Sequence, residues 1–216
     1  EIVLITEDFI PLMKKWGIPA QKLHVVHNWT PLEELPVRVK HNEWAIQHNL
    51  ADKFCFIYAG TLGLKHNPEL LLNLALHFHH KVDVQVVVIS EGLGADWLAA
   101  QKEAHKLNNL TLLNFQPFEE MPNVLGTADV LVAILEPDAG IYSAPSNDLT
   151  YLCGHRPLLL SIPPENLSAK IVSDNNAGLV VPPLDNKSFL SSAKKLESDT
   201  SLRNTLGTNA RNYAEE

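Results

Sequence analysis

The chain has 216 residues, with 17 Lys and Arg against 25 Asp and Glu, a formal net charge of −8, two cysteines and 45% apolar residues. This profile belongs to a soluble globular protein with a proper core and excludes collagen-like, disordered and disulfide-scaffold chains. The net acidity argues against a dedicated nucleic-acid or anionic-membrane binder, which needs a positive field to gather phosphates, but is compatible with a local basic pocket.

A predicted helix over residues 8–16 and one strand over 23–27 open the chain, followed by the proline-containing stretch Asn28 to Pro36, which reads as a linker leading out of another unit. Short β-branched runs then alternate with longer amphipathic patterns. Strands are expected at 54–59, 84–90, 110–114, 130–135, 157–162 and 178–181, and helices at 68–80, 95–107, 119–127, 146–153, 186–197 and 200–215. Leu70, Leu71, Leu74 and Phe78 fall on one helical face. The unbroken run Val84-Gln85-Val86-Val87-Val88-Ile89 suits a strand covered on both sides. The alternation predicts an α/β fold from about residue 50 onward, a doubly wound, mostly parallel, Rossmann-like sheet. Residues 1–35 are expected to be the end of a preceding domain and a linker, and 36–216 the sheet domain.

Cys55 and Cys153 lie in apolar runs without metal-type spacing, so buried thiols are expected. Sequons stand at Asn28, Asn109, Asn166 and Asn186, relevant only to a secreted chain. No signal peptide, transmembrane run or lipidation motif stands in the sequence, which favours a cytoplasmic setting. The chain opens at Glu1 directly on an apolar stretch, as a fragment would. His77-Phe78-His79-His80 sits at a predicted helix C-terminus, where imidazoles suit the dipole, and no metal site is assigned.

Ligands of such a sheet bind outside the carboxyl ends of its strands. Three loops there draw attention. Gly60-Thr61-Leu62-Gly63-Leu64-Lys65-His66 runs into a helix with Asn67 as N-cap and Pro68 at its first position, and either cradles an anion on its amides or is an ordinary glycine turn. Ser90-Glu91-Gly92-Leu93-Gly94 permits close backbone approach of a ligand. The stretch from Glu136 to Asn147 is longer than most αβ connections, as functional or disordered loops are. None matches Gly-x-Gly-x-x-Gly or the Walker loop, which argues against a dinucleotide dehydrogenase or NTPase.

Several segments together resemble the C-terminal domain of a family 4 (group 1) glycosyltransferase of the GT-B type. They are Ile18 to Trp29, Tyr58-Ala59-Gly60-Thr61-Leu62-Gly63 with Asn67-Pro68-Glu69-Leu70-Leu71, Ala128-Asp129-Val130, Pro145-Ser146-Asn147 with Tyr151-Leu152-Cys153-Gly154-His155-Arg156-Pro157, and Ala177 to Pro183. The resemblance implies one half of a GT-B enzyme. It would bind a UDP-, GDP- or ADP-sugar as donor and transfer the sugar with retention, with no cofactor and usually no metal, to a glycan or lipid-linked acceptor in surface-polysaccharide or related glycan assembly. An N-terminal domain outside this chain would supply most of the acceptor site and any peripheral membrane association; nucleic acid is not an expected partner. Lys65, His66 and Asp138 are the implied catalytic residues. Gly60, Thr61, Gly63, Glu91, Gly92, Gln116, Phe118, Tyr142, Ser143, Ala144, Ser146 and Thr150 are the implied donor contacts.

The chain also departs from that pattern. Thr61 stands where a basic residue follows the glycine, His66 where the loop lysine falls, Asn147 in place of lysine in Pro-Ser-Lys, Thr150 in place of the ribose-binding glutamate and His155 in place of glycine. Asp138 takes the first position of the Glu-x₇-Glu pair, with Glu136 and Glu91 as other candidates, or is a solvated loop residue. Beside the glycosyltransferase stand two other readings: a GT-B-type sugar-nucleotide epimerase and a non-catalytic sugar-nucleotide-binding module.

Overall fold

The computed structural model describes residues 1–63, 66–138 and 146–216. A small parallel pair, β1 (Ile2–Leu4) with β2 (Leu23–Val25), opens the chain and encloses the short helix α1 (Ile10–Lys15). The main sheet has six parallel strands: β3 (Phe54–Ala59), β4 (Val84–Ile89), β5 (Leu110–Leu113), β6 (Val130–Ile134), β7 (Leu158–Ser161) and β8 (Gly178–Val181), ordered β5-β4-β3-β6-β7-β8. This is the doubly wound, Rossmann-like sheet that the alternation of runs predicts.

Period-2 side-chain alternation builds a core on each face of it. Phe56 and Tyr58 of β3 pack with Val86, Val88, Val130 and Val132 under α3 (Pro68–Phe78), α4 (Leu93–His105) and α8 (Asn186–Ser198). Cys55, Ile57 and Ala59 turn the other way, with Leu131, Ala133, Leu158 and Leu160. That side is covered by α2 (Glu43–Gln47), α5 (Met121–Thr127), α6 (Ser146–Leu152), α7 (Leu167–Asp174) and α9 (Thr200–Glu215). Both cysteines are free and buried as expected, and burial pushes the Cys55 thiol up to about 12.

Sequence signals for the α3 start hold: the Asn67 side chain accepts from the Glu69 N–H at 3.1 Å and Pro68 follows it. Two of the four sequons are structural. Asn166 is fully buried as N-cap of α7, accepting from the Ser168 N–H, and buried Asn109 donates to the Ala75 carbonyl at 2.8 Å. His79 places Nδ1 2.7 Å from the Leu76 carbonyl at the end of α3, the dipole-favoured position expected for that histidine run. Among the described residues no helix is long and apolar enough to cross a membrane.

Candidate functional site

The strand order itself opens a crevice. Chain winding runs outward from β3 through β4 to β5, then returns to β6 on the other side of β3, so the loops after β3 and β6 depart toward opposite faces. The pairing of β3 with β6 covers Phe56↔Val130 and Ile57↔Leu131 only, whereas β3 stays paired with β4 through Ala59↔Ile89. Beyond Ile57 the two central strands have separated. A crevice of about 180 Å³ lies at this end, lined by Ala59, Gly60, Thr61, Ile89, Phe115, Gln116, Met121 and Asn147.

The backbone that the separated strand would leave unpaired is satisfied by a side chain. Fully buried Tyr151 of α6 accepts from the Ala59 N–H at 2.7 Å and donates to the Ala59 carbonyl at 2.8 Å, standing in for the missing β6 partner. Burial in turn raises the Tyr151 phenol well above its ordinary range. Asn147 adds a second donor to the same carbonyl at 3.1 Å and covers Gly60 so closely that its amide nitrogen occupies the space of a Cβ there.

The loop after β3 is fixed from several sides. Gly60 N–H donates to the Ile89 carbonyl (3.0 Å), Leu62 N–H to Ser90 Oγ (3.0 Å) and Gly63 N–H to His66 Nδ1 (3.2 Å), while the Tyr58 hydroxyl donates to the Thr61 carbonyl (2.9 Å). Of the amides from Gly60 to Gly63, that of Thr61 alone lacks an acceptor among the described residues. Between Gly60 and Gly63 an entering anion therefore meets one free amide rather than a row of four. His66, expected opposite a diphosphate, holds Gly63. Lys65 lies outside the described residues, as do Tyr142, Ser143 and Ala144. No described residue lining the crevice is charged, which leaves a cationic complement to Lys65 or to a group from elsewhere.

The neighbouring loop abuts this one. Gly92 caps α4 with φ +99, and a Cβ on Gly94 would stand 2.7 Å from the Leu62 carbonyl oxygen, to which Gly94 N–H also donates. Gly94→Ala is therefore expected to displace the Gly60–Gly63 loop at a cost of about 1–2 kcal/mol. Amide shifts confined to residues 60–63 and 90–96, with a lowered melting temperature, would be the readout, and an unchanged spectrum would refute it.

Glu91 accepts from the Phe115 N–H at 3.2 Å, joining the loops after β4 and β5. Gln116 is held at both ends of its amide: Oε1 accepts from Trp44 Nε1 at 3.0 Å and Nε2 donates to the Asn114 carbonyl at 2.8 Å. Phe118 is partly exposed at the turn leading into α5 and is not among the crevice lining. Ser146 opens α6, Thr150 is half-buried one turn later, and Glu136 and Asp138 follow β6, with Asp138 exposed. Gly60, Thr61 and Gln116 thus come together in the crevice; Phe115, Met121 and Asn147 join them as lining residues that the sequence reading did not name as contacts.

It also passed over Asp148. This carboxyl is 1% exposed, and neither oxygen has a hydrogen-bond partner among the described residues. Burial pushes its pKa up to about 7, partly offset by the nearby Ser168 hydroxyl, which lies outside hydrogen-bond geometry. The signal was present: Asp148 is four residues before Leu152 and three before Tyr151, on the inward face of α6.

No protein-family model and no curated protein matches the chain. Solved structures match it throughout. Anabaena HepE, in complex with UDP and glucose, superposes with TM-score 0.82 at 14% identity over 99% of this chain and 57% of that one. Sucrose-phosphate synthase from Thermosynechococcus elongatus gives 0.78 at 18% identity, over 99% and 53%. The C-terminal domain of a group 1 glycosyl transferase, LpcC of Francisella tularensis, gives 0.70 at 15% identity, over 86% and 96%. The chain thus has the fold of the C-terminal half of a GT-B glycosyltransferase, and it spans little more than half the length of the two larger neighbours.

Proposed function

We propose that this chain is the donor half of a retaining, family 4 type glycosyltransferase of glycan or lipid-linked acceptor assembly, working in the cytoplasm. The carrying observation is the crevice between β3 and β6, where the fold's ligand position coincides with a loop clamped by Ser90, Tyr58 and His66. HepE is described in complex with UDP and with UDP-glucose, which makes UDP the first nucleotide to test. In this reading the Thr61 amide and Lys65 meet the diphosphate, stabilising the charge that develops as it departs without a metal. The loop around Gln116, fixed through Trp44, meets the base. Tyr142, Ser143, Ala144 and Ser146 are the further donor contacts this reading assigns. An acceptor half, outside this chain, closes the cleft, so the chain alone binds donor without transferring sugar.

Calorimetric titration with UDP, GDP and ADP, with and without Mg²⁺, tests this directly. One diphosphate is expected to bind whether or not Mg²⁺ is present, and Lys65→Ala to weaken it by about 1.5–3 kcal/mol. Failure of a folded sample to bind any of the three would overturn the proposal. Thr150, a hydroxyl at the position of the ribose-binding carboxylate, favours a second reading as a binding module without catalysis. Donor binding without transfer or hydrolysis in a protein that carries both halves would select it, and release of an altered free sugar without acceptor would select an epimerase.

A further inference from the structure

We propose that the opposite end of the sheet carries a second, unrelated site for a phosphate dianion, free or as the head of a small phosphomonoester. A cavity of about 240 Å³ lies where β6 and β7 begin, lined by Lys40, Asp129, His155, Arg156, Arg203 and Asn204. Three permanent cations thus face one carboxylate in a chain whose net charge is −8. Lys40 takes that carboxylate, pairing with Asp129, and also donates to the Thr127 carbonyl at 2.9 Å. Arg156 and Arg203 have no carboxylate within ion-pair distance among the described residues.

Both guanidinium groups are anchored by carbonyls, which orients them without neutralising them. Arg156 donates through Nε to Ala128, through Nη1 to His155 and through Nη2 to Gly126 and Arg38. Arg203 donates through Nη1 to Leu196 and Glu197, and through Nη2 to Thr200 Oγ1. Of the five N–H groups each carries, Arg203 keeps Nε and one Nη2 proton, and Arg156 keeps one on Nη1. Lys40 keeps one as well, and the exposed Asn204 amide has no partner among the described residues.

Of the cavity's cations Arg156 is felt by His155, whose imidazole is lowered first by burial and then by Arg156 and by Arg211 outside the cavity, against the opposing Glu215. Asp129, paired with Lys40 and close enough for Arg156 to feel its charge, offsets only one of the three half-buried cations, and the surplus favours an anion that supplies several acceptors at once, such as a phosphate dianion. Nothing in the crevice between β3 and β6 is shared with this cavity.

Titration of the ¹⁵N-labelled chain with sodium phosphate at constant ionic strength, with chloride as counterpart, resolves the two ends of the sheet. Saturable shifts are expected at the Arg203 Nε–H and Asn204 amide signals, with a dissociation constant on the order of 1 mM. Asn204→Asp, placing a carboxylate at the cavity without removing a hydrogen bond, is expected to weaken binding by about tenfold, and Asn204→Lys to tighten it several-fold. Glycerol 3-phosphate binding more tightly than inorganic phosphate assigns an esterified ligand; equal constants assign the free ion. Equal shifts with chloride, shifts restricted to residues 60–63, or constants indifferent to both Asn204 variants would overturn the site.

Discussion

Asp148→Asn is expected to leave stability nearly unchanged near pH 4 and to raise it by up to about 4 kcal/mol at pH 8. In the unfolded chain this carboxyl ionises at its ordinary value of 3.8, whereas in the fold burial holds the proton on until about pH 7. Between those values the unfolded state binds fewer protons, so the wild-type protein loses about 1.4 kcal/mol of stability per pH unit from this group. The contribution is whole below pH 3.8 and gone above pH 7. An asparagine has nearly the same shape and does not titrate, which makes the difference between the two proteins the quantity of interest; other titrating groups cancel in it. Urea unfolding of both at pH 4, 6 and 8 would show the gap widen with pH. Curves that run parallel would mean that Asp148 is solvated or paired in solution. Its neighbours give the group a place in the site as well: the Tyr58 and Tyr151 hydroxyls both feel its charge, and they are the two that hold Thr61 and Ala59.

The sheet was legible because its strands are buried on both faces, and a continuous apolar run bounded by turn residues leaves little choice of structure. Short elements whose stability comes from tertiary contacts were not. β1 is three residues long and exists by pairing with β2, and α2 is one turn of helix held by the Asn42 cap and buried Trp44. α7 was missed although its start is written in the chain: Asn166 reads equally as a sequon and as an N-cap, and burial decides for the cap. The predicted start of α4 at residue 95 fell two residues late, because Gly92 and Gly94 read as loop while Gly94 is needed inside the first turn. One departure from the family pattern became intelligible only with backbone angles. His155 stands where the resemblance places glycine, and it adopts φ +56, keeping the left-handed turn after α6 without the glycine. The crevice was legible as a place, from the strand order; which amides in it are free depends on hydrogen bonds that no spacing rule reveals.

Tyr151→Phe is expected to cost about 2–4 kcal/mol and to weaken diphosphate binding at the crevice. The hydroxyl serves the Ala59 main chain, which the opening between β3 and β6 leaves buried without a strand partner. Phenylalanine fills the same volume, so packing is retained, but the Ala59 N–H is left buried with no acceptor. The Ala59 carbonyl keeps the Asn147 amide, which divides the loss unequally between the two groups. Ala59 leads directly into Gly60 and the loop that carries the Thr61 amide, so a disturbed Ala59 main chain moves that loop. Stability and affinity should therefore fall together in this variant. A variant that melts like the wild type would show that Ala59 finds another partner. One that is destabilised yet binds UDP with unchanged affinity would show that the diphosphate is held by residues after β6 rather than by the loop after β3.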